Sequence, residues 1–131
     1  MERTTVNPWQ WSVSMGFNQG EIVAGAARTL FLAGQASVDG DGAPQHVGDL
    51  AAQIGLALDN IESVLGAADM SLANVVRLNI YTTDVDAFFE HYGVLAGRLG
   101  AAGVAPPGSL IGVARLAYPE LLVELEATAV D

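Results

Sequence analysis

The chain has 131 residues, of which 51% are hydrophobic and 15% charged, with five Arg, no Lys and a formal net charge of −10. A chain of this length fits one domain, 1–131, that can bury a core without staples, and the lack of cysteine excludes disulfides, thiolate nucleophiles and Cys-based zinc sites. Arg3, Arg28, Arg77, Arg98 and Arg115 are scattered, so no basic stripe exists to neutralise a phosphate backbone, which argues against a nucleic-acid partner.

The N-terminus Met1-Glu2-Arg3-Thr4-Thr5 has no apolar run of the secretory kind. No segment approaches the roughly 18 apolar residues of a membrane span, so a cytoplasmic location with no membrane partner is the default expectation. Trp9 and Trp11 precede the first predicted strand, where they cover a sheet edge or border a cleft. Arg28 to Gln35 reads as a strand. Its partner is Ser12 to Phe17 or Glu21 to Ala24, joined through turns at Gly20 and Gly25-Ala26. Asp39-Gly40-Asp41-Gly42 is a turn that lacks the later acidic ligands of a calcium loop.

Val47, Leu50, Ala51, Ile54, Ala57, Leu58, Ile61, Val64 and Leu65 recur at three and four residues, the stripe of an amphipathic helix. Asp49 suits its first turn and Gly66 its end. In Asn74 to Thr82, Val76, Leu78 and Ile80 alternate with Arg77, Asn79 and Tyr81, which predicts a strand. Val85, Phe88, Phe89, Tyr92, Leu95, Ala96 and Leu99 make a second helix, with Thr83 or Asp84 as cap and Gly100 as stop. Leu110 to Leu116 and Leu121 to Val130 are expected to form a hairpin turning at Tyr118-Pro119.

The order β-β-β-α-β-α-β-β predicts an α+β fold: a mixed sheet with two helices on one face. The other face is left uncovered. In so apolar a chain, it is expected to pack against other subunits.

The stretch Pro106-Pro107-Gly108-Ser109-Leu110-Ile111-Gly112-Val113-Ala114-Arg115-Leu116, followed by Leu121-Leu122-Val123-Glu124-Leu125-Glu126-Ala127, resembles the C-terminal signature of the Rid (YjgF, reactive-intermediate deaminase, "endoribonuclease L-PSP") family. Gly16-Phe17-Asn18-Gln19, Phe31-Leu32-Ala33-Gly34-Gln35, Gly48-Asp49 through Gln53 to Asn60-Ile61, and Val75-Val76-Arg77 extend the likeness over Gly16 to Val130. The resemblance implies a chorismate-mutase-like fold and a homotrimer with a ligand cleft at each subunit interface. It also implies hydrolysis of small imines or enamines, in which an arginine clamps the substrate carboxylate and a glutamate positions water. The glutamate position is Glu124. The arginine position is Gly108, followed by Ser109. A tyrosine position is Phe17, a Ser-Gly position is Ala33-Gly34, and an asparagine position is Tyr92. Four polar contributors are therefore replaced.

Glu124 is the one catalytic candidate, since a carboxylate in a dry cleft can activate water. Glu126 shares its strand face roughly 7 Å away. Phe17, Ala33, Gly34, Tyr92, Gly108, Ser109 and Leu110 are the candidate ligand-binding residues. Ser109 has no adjacent His to make it a nucleophile. Arg115 lies seven residues beyond Gly108, so a regular strand without a bulge turns it to the other face, where a subunit-interface or surface salt bridge is its expected role. His46 and His91 are far apart, so no metal is expected. Gly93, Gly97 and Gly100 follow no strand, so no dinucleotide cofactor is expected. Two functions fit: a trimer that hydrolyses an imine or enamine-type metabolite with altered specificity, or a non-catalytic ligand-binding or chaperone-like trimer. Ribonuclease activity conflicts with the charge.

Overall fold

In the computed structural model, which describes residues 1–131, the elements run β1 (Glu2–Val6), α1 (Trp11–Ser14), β2 (Gly20–Ala24), β3 (Thr29–Phe31), β4 (Gln35–Ala36), α2 (Leu50–Ala67), a 3₁₀ turn (Leu72–Asn74), β5 (Val75–Thr82), α3 (Val85–Glu90), α4 (Tyr92–Ala101), β6 (Leu110–Gly112) and β7 (Val123–Val130). The main sheet has the order β3-β7-β5-β6, with β4 also on β7. β5 and β6 run parallel, Ile80 opposite Leu110, as a helical crossover between them requires. β7 runs antiparallel to β5 with Tyr81 opposite Glu124.

This α+β arrangement matches the predicted class, but three pairings differ. Leu110 to Leu116 and Leu121 to Val130 do not form a hairpin, because β5 lies between β6 and β7. The crossover fixes β6 on one edge of β5, and β7 takes the other edge, which sinks Val123, Leu125, Ala127 and Ala129 into the core. The region Arg28 to Gln35 breaks into β3 and β4, and both pair with β7. The expected partners lie elsewhere: β2 pairs with β1 in a separate two-stranded sheet, and Ser12 to Phe17 contains α1. The strand Glu2–Val6 was signalled only by its β-branched Thr4, Thr5 and Val6.

Both predicted helices form, with shifted ends. α2 begins at Leu50, capped by the Asp49 carboxylate, which accepts from the Ala52 N–H at 3.0 Å. Val47 lies outside it and is 68% exposed. The second helix breaks at His91 into α3, capped by Asp84 on the Ala87 N–H, and α4. Gly66 and Gly100 stay inside their helices, which run on to Ala67 and Ala101. Arg98 on α4 pairs with Asp59 at 2.7 Å and with Glu62, tying α4 to α2.

One face of the sheet carries the core: Leu78, Ile80, Val123 and Leu125 meet Ile54, Leu58, Leu95 and Leu99 of the helices. Alternation sends Arg77, Asn79, Tyr81, Glu124, Glu126 and Thr128 to the other face, which no helix covers; at one end of it Leu116 and Leu121 pack against Ala36 and Tyr81. That face is largely polar. Its large exposed apolar groups are Phe31, 79% exposed, and Ile111, which lies beside Tyr81 on β6.

Candidate functional site

The candidate residues fall into two groups, on opposite faces of the sheet. Phe17, Tyr92, Gly108, Ser109 and Leu110 line a cavity of about 210 Å³ on the helix side. Gly34 and Glu124 meet on the open face, and Ala33 is exposed in the connection just before them. A sequence pattern shows which residues share a strand face. It does not show that the loop before β6 and the middle of β7 address different faces.

Core residues form the cavity floor: Leu78 and Ile80 from β5, Leu95 and Leu99 from α4. None had a sequence signal beyond its place in an apolar stripe. Exposed lining residues form the rim: Met15, Phe89, Gly108 and Ser109. Phe17 packs edge-on against Trp11 with ring centroids 5.7 Å apart, so Trp11 borders the cavity mouth rather than a sheet edge. The Tyr92 hydroxyl donates to the Met15 carbonyl at 2.7 Å, and burial raises its phenol above the ordinary value. Its proton ties α4 to the end of α1 and is not available to a ligand.

Gly108 marks a close approach of two backbones. The Leu78 N–H donates to Pro107 O at 3.1 Å and the Ile80 N–H to Ser109 O at 2.8 Å. A Cβ on Gly108 would stand 1.6 Å from the Leu78 carbonyl oxygen. The Ser109 N–H turns instead to the Asn79 side-chain oxygen at 3.1 Å. Asn79, which the sequence reading did not single out, also donates to Glu126 at 3.1 Å and so joins the cavity lip to the open face.

On the open face, Gly34 makes room for Glu124. A Cβ at Gly34 would lie 1.8 Å from Glu124 Oε1 and 2.7 Å from its carboxyl carbon. Glu126 is held by Asn79 and by the Tyr81 hydroxyl at 3.1 Å, and this bond raises the Tyr81 phenol above its ordinary value. The adjacent Glu124 carboxylate lies over Gly34 and stays free to orient a water. Both bonds fall on Glu126 Oε1, whereas no side chain of this chain hydrogen-bonds the Glu124 carboxylate.

The cations lie elsewhere. Arg3 pairs with Glu21 and Arg28 with Asp131. Arg115 forms no salt bridge within its own chain, so of the two expected kinds, subunit-interface and surface, only a bridge to a neighbouring copy is left open. It donates to the Leu116 carbonyl at 3.2 Å and the Ala117 carbonyl at 3.5 Å, because its segment is a loop and not a strand. Arg77 is exposed on the open face, beside Phe31 and Thr128. No three acidic or histidine side chains converge as a metal site. No helix is long and apolar enough to cross a membrane.

A family model described as Endoribonuclease L-PSP matches residues 12–131. A RutC family protein of Pyrococcus horikoshii is 33% identical over 104 residues, 79% of this chain and 80% of its own. The structure of YyfB, a Rid-family protein of unknown function from Yersinia pestis, aligns with a TM-score of 0.85 at 37% identity, covering 99% of both chains. Escherichia coli TdcF, solved with bound serine, aligns with a TM-score of 0.71 at 26% identity over 88% of this chain and 87% of its own.

Proposed function

Starting from a chain that belongs to the Rid (YjgF) family, we propose that it binds a small metabolite in clefts between three copies of itself and hydrolyses an imine or enamine-type bond there. The observation that carries this reading is the split of the site. The cavity lip at Gly108 to Leu110 adjoins the β6 edge, whereas Glu124 faces outward from β7 on the opposite side of the sheet. One copy alone cannot bring them to the same ligand. A neighbour whose open face abuts that edge does so, and the Glu124 carboxylate then stands across a cleft from the cavity lip. TdcF, with its bound serine, supports small-molecule binding as the family's use of this fold.

In this reading Glu124 polarises the attacking water. Gly34 leaves the space in which its carboxylate sits. Phe17, Ala33, Tyr92, Ser109 and Leu110 shape the cleft. The chain presents neither the basic stripe nor the lysines that RNA cleavage would call on, so the family's ribonuclease label is not carried over.

Glu124→Gln is expected to lower imine hydrolysis by about 100-fold or more, the scale of a lost general base, with the trimer intact. Gly34→Ala is expected to displace the same carboxylate and lower turnover without touching the cavity. The assay is release of the carbonyl product from carboxylate-free imines generated in situ from simple aryl or alkyl amines by an amine oxidase. Unchanged turnover in both variants would remove Glu124 from the reaction, and a parent protein no faster than the uncatalysed background would leave the non-catalytic ligand-binding trimer as the better reading.

The assembly has its own test. Phe31 stands almost fully exposed on the open face, and burying it between copies is worth about 2 kcal/mol per subunit. Phe31→Asp is expected to shift the protein from trimer to monomer in sedimentation equilibrium. A wild-type monomer, or a trimer indifferent to this change, argues against the assembly.

A further inference from the structure

The cavity under Phe17 and Ser109 has a chemistry of its own. It is lined by Phe17, Leu78, Ile80, Leu95, Leu99 and Leu110, and no Asp, Glu, Arg or His reaches it. Its one phenol is committed to the Met15 carbonyl. The side chain left to meet a polar atom is Ser109, whose hydroxyl stands on the rim while its N–H is taken by Asn79. The volume, about 210 Å³, is that of roughly seven waters, enough for one ring or branched alkyl group with a short substituent. It is smaller than the pockets that hold drug-sized ligands.

We propose that this cavity receives the uncharged aromatic or branched-alkyl end of the ligand, and that the protein selects a neutral aryl or alkyl compound over a carboxylate of the same shape. The proposal rests on residues 108–110 as the ligand site and names the substrate class for it. Burying an apolar group on the floor removes water from surfaces that have nothing else to pair with. A carboxylate on the floor would lose its hydration and find a single hydroxyl, with no cation of the same copy to compensate. The reacting bond then lies beyond Ser109, outside the cavity and toward the neighbouring copy.

Benzamide and benzoate test this, being nearly identical in shape and different in charge. In a Trp9→Phe background, Trp11 is the sole tryptophan, and its contact with Phe17 makes its emission a reporter of the cavity mouth. Benzamide is expected to shift that emission saturably at concentrations at least about tenfold lower than benzoate, and serine to have no effect. Its ring protons are expected to show Overhauser contacts to the methyls of Leu95 and Leu99. Leu99→Phe, which fills the floor, is expected to weaken benzamide at least about tenfold. Should that variant not fold, the Overhauser contacts in the parent protein decide alone. Benzoate binding as tightly as benzamide, or benzamide binding without contacts to Leu95 and Leu99, overturns the proposal. Glu124→Gln separates it from the catalytic reading. Benzamide binding that survives in a protein without Glu124-dependent turnover upholds the apolar cavity and sinks the hydrolase. Turnover without benzamide binding does the reverse.

Discussion

Replacing Gly108 by arginine is expected to lower the thermal midpoint by about 10 °C and to restore no carboxylate clamp. The resemblance of the C-terminal signature aligns the arginine of the family's deaminases with this position, so the change looks like a reversion. The backbone has closed over the place where its side chain would begin. Any Cβ there meets the Leu78 carbonyl oxygen at 1.6 Å, a collision with main chain and not with a pliable side-chain tip. Relief requires residues 107–109 to move off β5. That breaks the bonds of the Leu78 N–H to Pro107 and of the Ile80 N–H to Ser109. Unmaking two buried backbone hydrogen bonds costs about 3 kcal/mol, which in a chain of this size is a shift of about 10 °C. Gly108→Ala should lose nearly as much, because the collision begins at Cβ. Thermal unfolding followed by circular dichroism checks both variants. An arginine variant as stable as the parent and newly active on imino acids would show that the strand moves freely.

Turnover of 2-aminoacrylate or 2-iminobutanoate is expected to stand at least about 100-fold below that of arginine-bearing relatives. Leaving a buried carboxylate without its charged partner costs about 3 to 5 kcal/mol, or roughly two to four powers of ten in rate. Within one copy no other cation takes over. Arg3, Arg28 and Arg98 are paired with acids, Arg115 is held by its own loop, and Arg77 projects from the open face. The check is a coupled assay of keto-acid release, run beside an arginine-bearing family member. Comparable rates would overturn the expectation and turn attention to Arg77 of a neighbouring copy. Arg77→Ala would then abolish the activity.

The parts of the fold legible in the sequence were those with periodic burial. Ile54, Leu58, Ile61 and Leu65 announce α2, and the alternation around Leu78 and Ile80 announces β5, because each side chain answers to one core. Pairing was less legible. Nothing local in Leu110 to Gly112 says that it joins β5 and not β7, since the choice is made by a helical crossover, α3 and α4, that lies before it. Glu2–Val6 leaves no such pattern in the sequence, because it buries little. At the site, the likeness at Gly108 located the cavity lip, and alternation located Glu124. Asn79, the residue that joins the two faces, looked like any polar residue on a strand. Its role comes from Ser109 and Glu126, which are remote in sequence and adjacent across β5.

Leu78, Ile80, Leu95 and Leu99 belong at once to the hydrophobic core and to the cavity floor. Evolution toward heat resistance therefore works against this cavity. Larger side chains at these positions fill a void and gain dispersion contacts, so a screen that rewards only survival on heating will enrich variants with the cavity closed. Directed evolution of this chain would need a ligand present during selection, so that heat resistance and an open cavity are rewarded together.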